Sequence, residues 1–101
     1  MKHCILVKFI PETSKKIENS FIEQIRELFD SATEINGIHY VKVYKCCVNR
    51  ENRADLMIEI DMDRDALEDY DASDAHLIWK REYSRFIDEK TIFDYDDTRP
   101  C

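Results

Sequence analysis

Tyr70 and His76 are the pair of side chains whose types best fit chemistry, because a phenol can donate a proton and an imidazole can accept one. They are six residues apart. On one continuous helix this spacing would place the two side chains about 120° apart, on different faces. Ser73 lies between them and is a good N-cap, so a helix break there would let both side chains face one cavity. Spacing alone favours the ordinary alternative, in which Tyr70 packs as a core aromatic and His76 faces solvent.

His76 would lie in the first turn of a helix that begins after Ser73. The positive end of a helix disfavours an imidazolium and so keeps the ring neutral, as a general base requires. The carboxylates of Asp71 and Asp74 favour the charged ring instead. The sequence therefore leaves the balance between these two effects open.

His3 is a lone histidine on a strand face that it shares with Ile5 and Val7. A buried histidine with satisfied hydrogen bonds is the more common explanation for such a position. If that face meets the helices, however, His3 could join Tyr70 and His76. Three polar groups that converge in an apolar pocket are typical of a small-molecule site.

The elements that must position these residues follow one another in the order β-α-β-β-α-α-β, as judged from alternating and helical spacing of the apolar residues. The predicted strands cover residues 2–9, 38–47, 54–61 and 91–95, with a turn at Asn36-Gly37 before the second strand. Three helices are predicted. The first follows a cap at Thr13 or Ser14, the second begins at a capping box of Asp65 and Glu68, and the third runs from about Asp74 to Ile87. This order predicts an α+β, ferredoxin-like fold, a four-stranded antiparallel sheet with helices on one face and strands 1 and 3 in the centre.

The same periodicities predict which apolar side chains line a pocket between the sheet and the helices. Strand positions follow from alternation, and helix positions follow from the inward stripe. With His3, Tyr70 and His76, the predicted lining comprises Ile5, Val7, Phe21, Ile22, Ile25, Leu56, Ile58, Ile87 and Ile92.

The second face of the predicted sheet carries apolar residues that helices on the first face cannot cover. Leu6 and Met57 lie there, with aromatic neighbours from the second strand. We expect a second copy of the chain to cover this face, which gives a two-fold homodimer through the sheets. Lys8 and Glu59 share the face and should be paired or near its edge, because an unpaired buried charge is costly. The alternative is a monomer with a partly exposed sheet.

Composition and charge exclude several classes of protein. The chain has 101 residues, enough for one domain, and a net charge of −7. It has no basic stripe with interleaved aromatics, so we expect no nucleic-acid partner, and no apolar run long enough to span a membrane. The N-terminus does not have the pattern of a signal peptide, so we expect a cytoplasmic protein.

The four cysteines (Cys4, Cys46, Cys47 and Cys101) predict neither a disulfide framework nor a zinc site. No C-x-x-C pair occurs, and no metal-ligand spacing links them to the histidines. We expect reduced thiols, the first three on strands, with no metal and no organic cofactor.

Three segments of the chain resemble the stress-responsive A/B barrel (Dabb) family. They are the start Lys2-His3-Cys4-Ile5-Leu6-Val7-Lys8-Phe9, the stretch Ala66-Leu67-x-x-Tyr70 followed by His76, and the ending Phe93-Asp94-Tyr95. The resemblance implies a domain over residues 1–97, followed by a loose tail over 98–101. It also implies a dimeric α+β barrel built from two ferredoxin-like subunits.

In the polyketide-cyclising members, the positions that match Tyr70 and His76 carry catalysis, and the position that matches His3 lies in the same cavity. The resemblance thus implies His76 as a base and Tyr70 as a group that binds a carbonyl in an intramolecular aldol closure. Ser73 and Asp74 stand where the family often has a second His and a Pro, a departure that weakens the transfer of a specific substrate.

Three functions stay open at this stage. The chain could form a homodimer that binds a small, partly apolar carbonyl compound and acts on it by acid–base chemistry. It could be a stress or ligand-carrier dimer with the same cavity and no enzymatic activity. It could also be a structural dimer, if Phe21, Tyr70 and Trp79 fill the cavity.

Overall fold

The computed structural model describes residues 1–96 as four strands and four α-helices joined by short connections. The predicted tail, residues 98–101, lies outside the described residues. The strands are β1 (Lys2–Phe9), β2 (Ile38–Lys45), β3 (Leu56–Met62) and β4 (Ile87–Tyr95). The α-helices are α1 (Pro11–Ser14), α2 (Asn19–Asp30), α3 (Leu67–Asp71) and α4 (Asp74–Tyr83), and 3-10 turns cover Ser31–Glu34, Arg64–Ala66 and Ser84–Phe86.

The strands form one sheet in the order β2-β3-β1-β4, and every neighbouring pair is antiparallel. β1 and β3 are therefore central, and the predicted ferredoxin-like α+β fold is confirmed. The register pairs His3 with Ile60 on one side and with Asp94 on the other. Because directly opposed residues of antiparallel strands share a face, Asp94 lies on the same face as His3.

The helices cover one face of the sheet and bury its side chains on the central strands β1 and β3, whereas Ile92 and Asp94 of β4 stay partly exposed on this face. Helix α2 places Ile22, Ile25 and Phe29 against this face, and Trp79 of α4 packs edge-to-face on Phe29 with ring centroids 5.0 Å apart. The buried sheet residues of this core are Ile5, Val7, Phe9, Ile38, Val43, Leu56, Ile58, Ile60 and Met62. The prediction that His3 and Leu56 face the helices is correct.

The other face, which we call the open face, carries Lys2, Cys4, Leu6 and Lys8 of β1 with their cross-strand neighbours. Leu6 is opposite Met57 and Thr91, and Cys4 is opposite Glu59 and Phe93. No helix of residues 1–96 covers this face, and Phe93 is 62% exposed. Lys8 Nζ donates to the carbonyl oxygen of Glu51, and Glu59 accepts from Tyr40 at 3.1 Å. Both charges that we expected to be paired thus have partners within the chain.

The helical segment after Pro11 differs from its prediction. Neither Thr13 nor Ser14 caps a long helix, because both lie inside the four-residue helix α1 and α2 starts later, after Glu18. The hydroxyl of Ser14 donates instead to Asp55 at 3.0 Å. A residue whose hydroxyl serves the β2–β3 loop is not available as a cap.

The predicted capping box of Asp65 and Glu68 is wrong. Arg64–Ala66 form a 3-10 turn that continues directly into α3, and neither start has a side-chain cap. Since the 3-10 turn already leads into the helix, the first N–H groups of α3 do not form a free helix end that a carboxylate must cap.

The last helix is shorter, and the last strand longer, than predicted. α4 ends at Tyr83, and Ile87 opens β4 instead of closing the helix. Pairing with β1 explains the difference, because Ile87 is opposite Phe9 and Ile10 donates its N–H to the carbonyl of Phe86 at 2.8 Å. Local helical spacing could not anticipate that long-range pairing.

The hairpin between β2 and β3 is wider than predicted. β2 ends at Lys45, so Cys46 and Cys47 follow the strand, and β3 begins at Leu56. The expected turn at Gly37 is present, with a φ of 93°. A Cβ at this position would stand only 3.0 Å from the Cβ of Ala66, so both the backbone conformation and the space favour glycine. Within residues 1–96, no helix is both long and apolar enough to cross a membrane.

Candidate functional site

Tyr70 lies at the centre of the candidate site, on the last full turn of α3. Its side chain is 1% exposed, and its hydroxyl has no hydrogen-bond partner within residues 1–96. Burial, reinforced by the Asp71 carboxylate, raises the pKa of Tyr70 well above its usual value. The phenol is therefore protonated at neutral pH and has an unused donor. Leaving such a group unsatisfied costs about 1–3 kcal/mol.

His76 meets Tyr70 because the chain breaks its helix between them. α3 ends at Asp71 and α4 begins at Asp74, with the hydroxyl of Ser73 accepting from the His76 backbone N–H at 3.2 Å. The rings of Tyr70 and His76 lie 5.1 Å apart between centroids. The predicted break at Ser73 and the meeting of the two side chains are both observed.

The protonation pattern of the His76 ring follows from its partner. Nδ1 lies 2.9 Å from the backbone carbonyl oxygen of Asp71, which can only accept. Nδ1 must therefore carry the hydrogen, and in the neutral ring Nε2 is left with its lone pair. This is the tautomer that a base acting through Nε2 needs. The side chain of His76 is half-buried, so this nitrogen is not sealed in the core.

His3 approaches Tyr70 from the sheet. Its ring is buried and contacts the Tyr70 ring edge-on at 5.5 Å between centroids. Its Nδ1 lies 2.5 Å from Oδ1 of Asp94 on the neighbouring strand. Asp94 holds the imidazole in place, while its own side chain is 39% exposed at the β4 edge. The His3 ring thus contacts both the partly exposed carboxylate of Asp94 and the buried ring of Tyr70.

Asp94 belongs to the site but is not among the residues that the sequence singles out for chemistry. In the sequence it is notable only as part of the segment Phe93-Asp94-Tyr95, which resembles the family. The available signal is alternation, because Asp94 sits between two residues of the opposite face and shares a face with Ile92. Its partner becomes visible only with the β1–β4 register, which places it opposite His3.

The predicted lining residues lie around the cluster in different ways. Ile5, Val7, Ile22, Ile25, Leu56 and Ile58 form the buried core under α2 and α4, with Phe21 and Ile87 packed against it. Ile92 lies apart from them at the β4 edge and is 48% exposed. Their role as a lining for a ligand stays a prediction.

The space between sheet and helices is largely filled by the protein's own side chains. Trp79 and Phe29 are almost fully buried, and Trp79 also stacks on Tyr83 at 5.2 Å. Two surface pockets, of about 830 and 210 Å³, are lined by other parts of the chain. The cluster meets the surface at His76, which is half-buried, and at Asp94, whose side chain is 39% exposed.

The chemistry of the cluster is that of proton transfer. It offers one buried donor (Tyr70), one imidazole whose Nδ1 is held by a backbone carbonyl (His76) and one imidazole held by a carboxylate (His3). Within residues 1–96, no group of three or more His, Cys, Asp or Glu side chains is placed to hold a metal ion. Cys4, Cys46 and Cys47 are free thiols, and none of them belongs to the cluster.

Comparison with solved structures gives several full-length matches at low identity. At3g17210 from Arabidopsis thaliana matches at a TM-score of 0.75 and 20% identity, covering 99% of this chain and 97% of that one. A dimeric protein of unknown function from Bacteroides fragilis, with a ferredoxin-like fold, matches at 0.65 and 15%, covering 94% and 93%. The hydroxynitrile lyase from Passiflora edulis matches at 0.70 and 12%, covering 98% and 95%. At these identities the likeness shows the fold alone.

Sequence comparison is more specific. No curated protein matches the chain significantly. The family model of the stress responsive A/B barrel domain, however, matches residues 1–97, which is nearly the whole chain. This protein therefore belongs to the stress-responsive A/B barrel (Dabb) family.

Proposed function

We propose that this protein is a homodimer that binds a small, partly apolar carbonyl compound at Tyr70, His76 and His3 and acts on it by acid–base catalysis. The observation that carries the proposal is the hydroxyl of Tyr70, which is buried without a hydrogen-bond partner in residues 1–96, on a ring that contacts two imidazoles. A buried donor without an acceptor lowers the stability of the fold, and a substrate oxygen would accept its hydrogen bond.

The proposed step needs only the groups already described. Nε2 of His76 takes a proton from the carbon next to a carbonyl, and the electron pair of that C–H bond moves into an enolate. The enolate oxygen accepts a hydrogen bond from Tyr70. The enolate carbon bonds to a second carbonyl carbon of the same molecule, and the resulting alkoxide takes the proton back from His76.

His3 orients the substrate or the base in this scheme, and Asp94 fixes the ring of His3. The Nδ1 contact with Asp94 leaves Nε2 of His3 to accept or relay a proton. Asp94 acts through His3 and is a positioning residue. Its replacement by Asn should therefore reduce turnover less than the loss of Tyr70 or His76.

The dimer is supported by the open face. Leu6 and Met57 of the central strands lie there half-buried, beside the exposed Phe93 of β4. A second copy of the same face would cover this apolar surface in an isologous arrangement. The charges on the face are balanced, since Lys2, Lys8 and Lys42 stand beside Glu59, Asp61 and Glu89. The related fold from Bacteroides fragilis is described as dimeric.

A second candidate is a dimer without turnover, either a ligand carrier or a structural protein. The dense packing of Trp79 and Phe29 beside the cluster favours it, because little empty space is left for a substrate. It differs from the enzyme in one measurable respect, since the wild type would then turn over none of the compounds tested.

The test is turnover of a panel of β-ketoacyl compounds by the wild type, Tyr70→Phe, His76→Ala and His39→Ala. A cyanohydrin belongs in the panel, because its cleavage also needs a base and an oxygen contact. Positioned acid–base groups contribute about 10²–10⁴-fold each, so Tyr70→Phe and His76→Ala should lose that much turnover. His39, which is exposed and paired with Asp63, is the matched control and should keep full activity.

Three outcomes decide between the candidates. Loss of turnover in the two cluster variants, with the control unchanged, supports the enzyme. Full activity of both variants on a substrate that the wild type converts contradicts the assignment of roles. Saturable binding of apolar ligands without turnover of any compound replaces the enzyme with the carrier.

A further inference from the structure

One surface pocket lies at the end of the sheet opposite to the candidate site. It has a volume of about 830 Å³, within the range of small-molecule sites, and opens between α1 and the β2–β3 loop. Phe9 at the end of β1 lines it, whereas His3 is at the start of β1. The two are six residue steps apart along the strand, a distance of roughly 20 Å. The pocket is thus separate from the Tyr70 cluster.

One residue, Asp55, forms hydrogen bonds with the segments that line this pocket. Its carboxylate accepts hydrogen bonds from the Phe9 backbone N–H at 2.9 Å and from the Ser14 hydroxyl at 3.0 Å. Its own N–H donates to the carbonyl of Val7 at 2.8 Å, and its carbonyl accepts from Cys46 at 2.9 Å. These four bonds join β1, α1 and both ends of the β2–β3 loop, so the pocket is largely preformed.

The charge of the pocket is opposite to that of the chain. Its lining contains five Lys or Arg and three Asp or Glu, whereas the whole chain has a net charge of −7. The five cations are Lys8, Lys15, Lys45, Arg50 and Arg53. Within residues 1–96, none of them forms an ion pair with a carboxylate. Lys8 and Arg53 do donate hydrogen bonds inside the β2–β3 loop, to the Glu51 carbonyl and to Asn52 Oδ1. Five cations without a carboxylate partner in residues 1–96, around one pocket of an acidic protein, favour an anion there.

Apolar side chains also line the pocket. Phe9, Ile17 and Val48 are among its lining residues beside the cations, and Val48 is 41% exposed. An exposed apolar side chain beside unpaired cations fits a ligand with two unlike ends. We propose that this pocket binds a small organic anion with an apolar body, a carboxylate or a phosphate monoester, independently of the Tyr70 cluster.

The experiment uses decanoate and decyl phosphate as probes, with decanol and inorganic phosphate as the two half-ligands. Calorimetric titration should give saturable binding of both amphipathic anions, and affinity should fall with added salt because the contact is charged. Decanol and inorganic phosphate should bind much more weakly. The two anionic probes distinguish a carboxylate from a phosphate ester as the preferred head group.

Paired variants locate the binding. The double variant Lys45→Gln/Arg50→Gln removes two of the cations that line the pocket and should weaken anion binding about tenfold. The double variant Lys16→Gln/Lys80→Gln removes the same charge outside the pocket and should leave the affinity unchanged. Cys47 lines the pocket with an exposed thiol, so decanoate should also slow its alkylation by iodoacetamide, read peptide by peptide.

The proposal is overturned if decanol binds as tightly as decanoate, or if both double variants lose affinity equally. It is also overturned if Tyr70→Phe abolishes decanoate binding while Lys45→Gln/Arg50→Gln does not, because the anion then occupies the other site. Absence of saturable binding of either anionic probe contradicts it outright.

Discussion

Met57 and Ile58 are neighbours on the central strand β3, yet they point to opposite faces of the sheet and meet different surroundings. Ile58 is fully buried under the helices, in an apolar core that also holds the His3 ring and the hydroxyl of Tyr70. Met57 lies half-buried on the open face, among paired polar groups such as Lys2 with Asp61 and the Tyr40 hydroxyl with Glu59.

The difference between the two faces indicates two separate tasks. On the helix-covered face the few polar groups are isolated in a dry environment, where an unsatisfied hydroxyl is costly and has a strong preference for a partner. On the open face polar and apolar groups alternate and each charge has a neighbour. This mixture is typical of surfaces that associate, with an apolar centre and a polar rim.

The largest expected effect compares the two neighbours directly. Ile58→Ala should lower the free energy of unfolding by about 2–5 kcal/mol, because it leaves a cavity in the closed core. Met57→Ala should cost clearly less in the separated monomer, since its site is not enclosed. Urea unfolding of both variants at equal protein concentration measures the difference, and equal losses would mean that the two faces are not distinct.

The next effect concerns association through the open face. Leu6→Asp puts a carboxylate at its centre and should weaken the dimer at least 100-fold, about 2.7 kcal/mol, because two unpaired charges would be buried together. Light scattering across a dilution series should then give the mass of one chain, where the wild type gives two.

Leu77→Asp is the matched control for this prediction. Leu77 is also exposed, at 52%, but it lies on α4 in the helix layer. The control should remain a dimer. Dissociation of the control with an intact Leu6→Asp dimer would place the interface on the helices.

A smaller effect, of opposite sign, is expected at the candidate site. Tyr70→Phe removes a buried hydroxyl without a partner in residues 1–96 and keeps the ring that packs on His3 and His76. We expect the variant to be more stable than the wild type by about 1 kcal/mol, since the desolvation cost disappears. A loss of stability in urea unfolding would show that the hydroxyl has a partner in solution.

The pH dependence of stability is a second test of the buried Tyr70 hydroxyl. The pKa of Tyr70 is raised in the folded state, so the unfolded chain loses this proton first and stability falls as the pH rises above about 10. Between pH 9 and pH 11 the wild type should lose about 1.4 kcal/mol more than Tyr70→Phe. Tyr83 and Cys4, whose pKa values are also raised by burial, are present in both proteins and cancel in the difference.

Much of the fold could be predicted from the sequence because its signals are local. Alternation in β1 and β3, the stripe of α2 and the Asn36-Gly37 turn each depend on neighbours in the chain, and together they define the ferredoxin-like order. The boundaries that were wrong depend on distant partners. Ser14 bonds to Asp55, and Ile87 pairs with Phe9, so neither could be assigned from nearby residues.

In the candidate site, too, features set by neighbouring residues could be predicted and features set by distant partners could not. The helix break at Ser73 could be predicted, because an N-cap is a local signal, and it accounts for the meeting of Tyr70 and His76. The role of Asp94 could not be predicted, since it requires the register of β4 on β1. The dense packing around Trp79 also depends on how helices and sheet come together, which no spacing rule specifies.

The most direct test of the central claim is a crystal structure of the protein soaked with a β-diketone such as acetylacetone. The claim is that the hydroxyl of Tyr70 is kept free for a carbonyl oxygen. We predict one diketone oxygen within hydrogen-bond distance of Tyr70 Oη, with the acidic carbon facing Nε2 of His76. A structure in which the diketone binds elsewhere while Tyr70 keeps its dry, unpaired hydroxyl would contradict the claim.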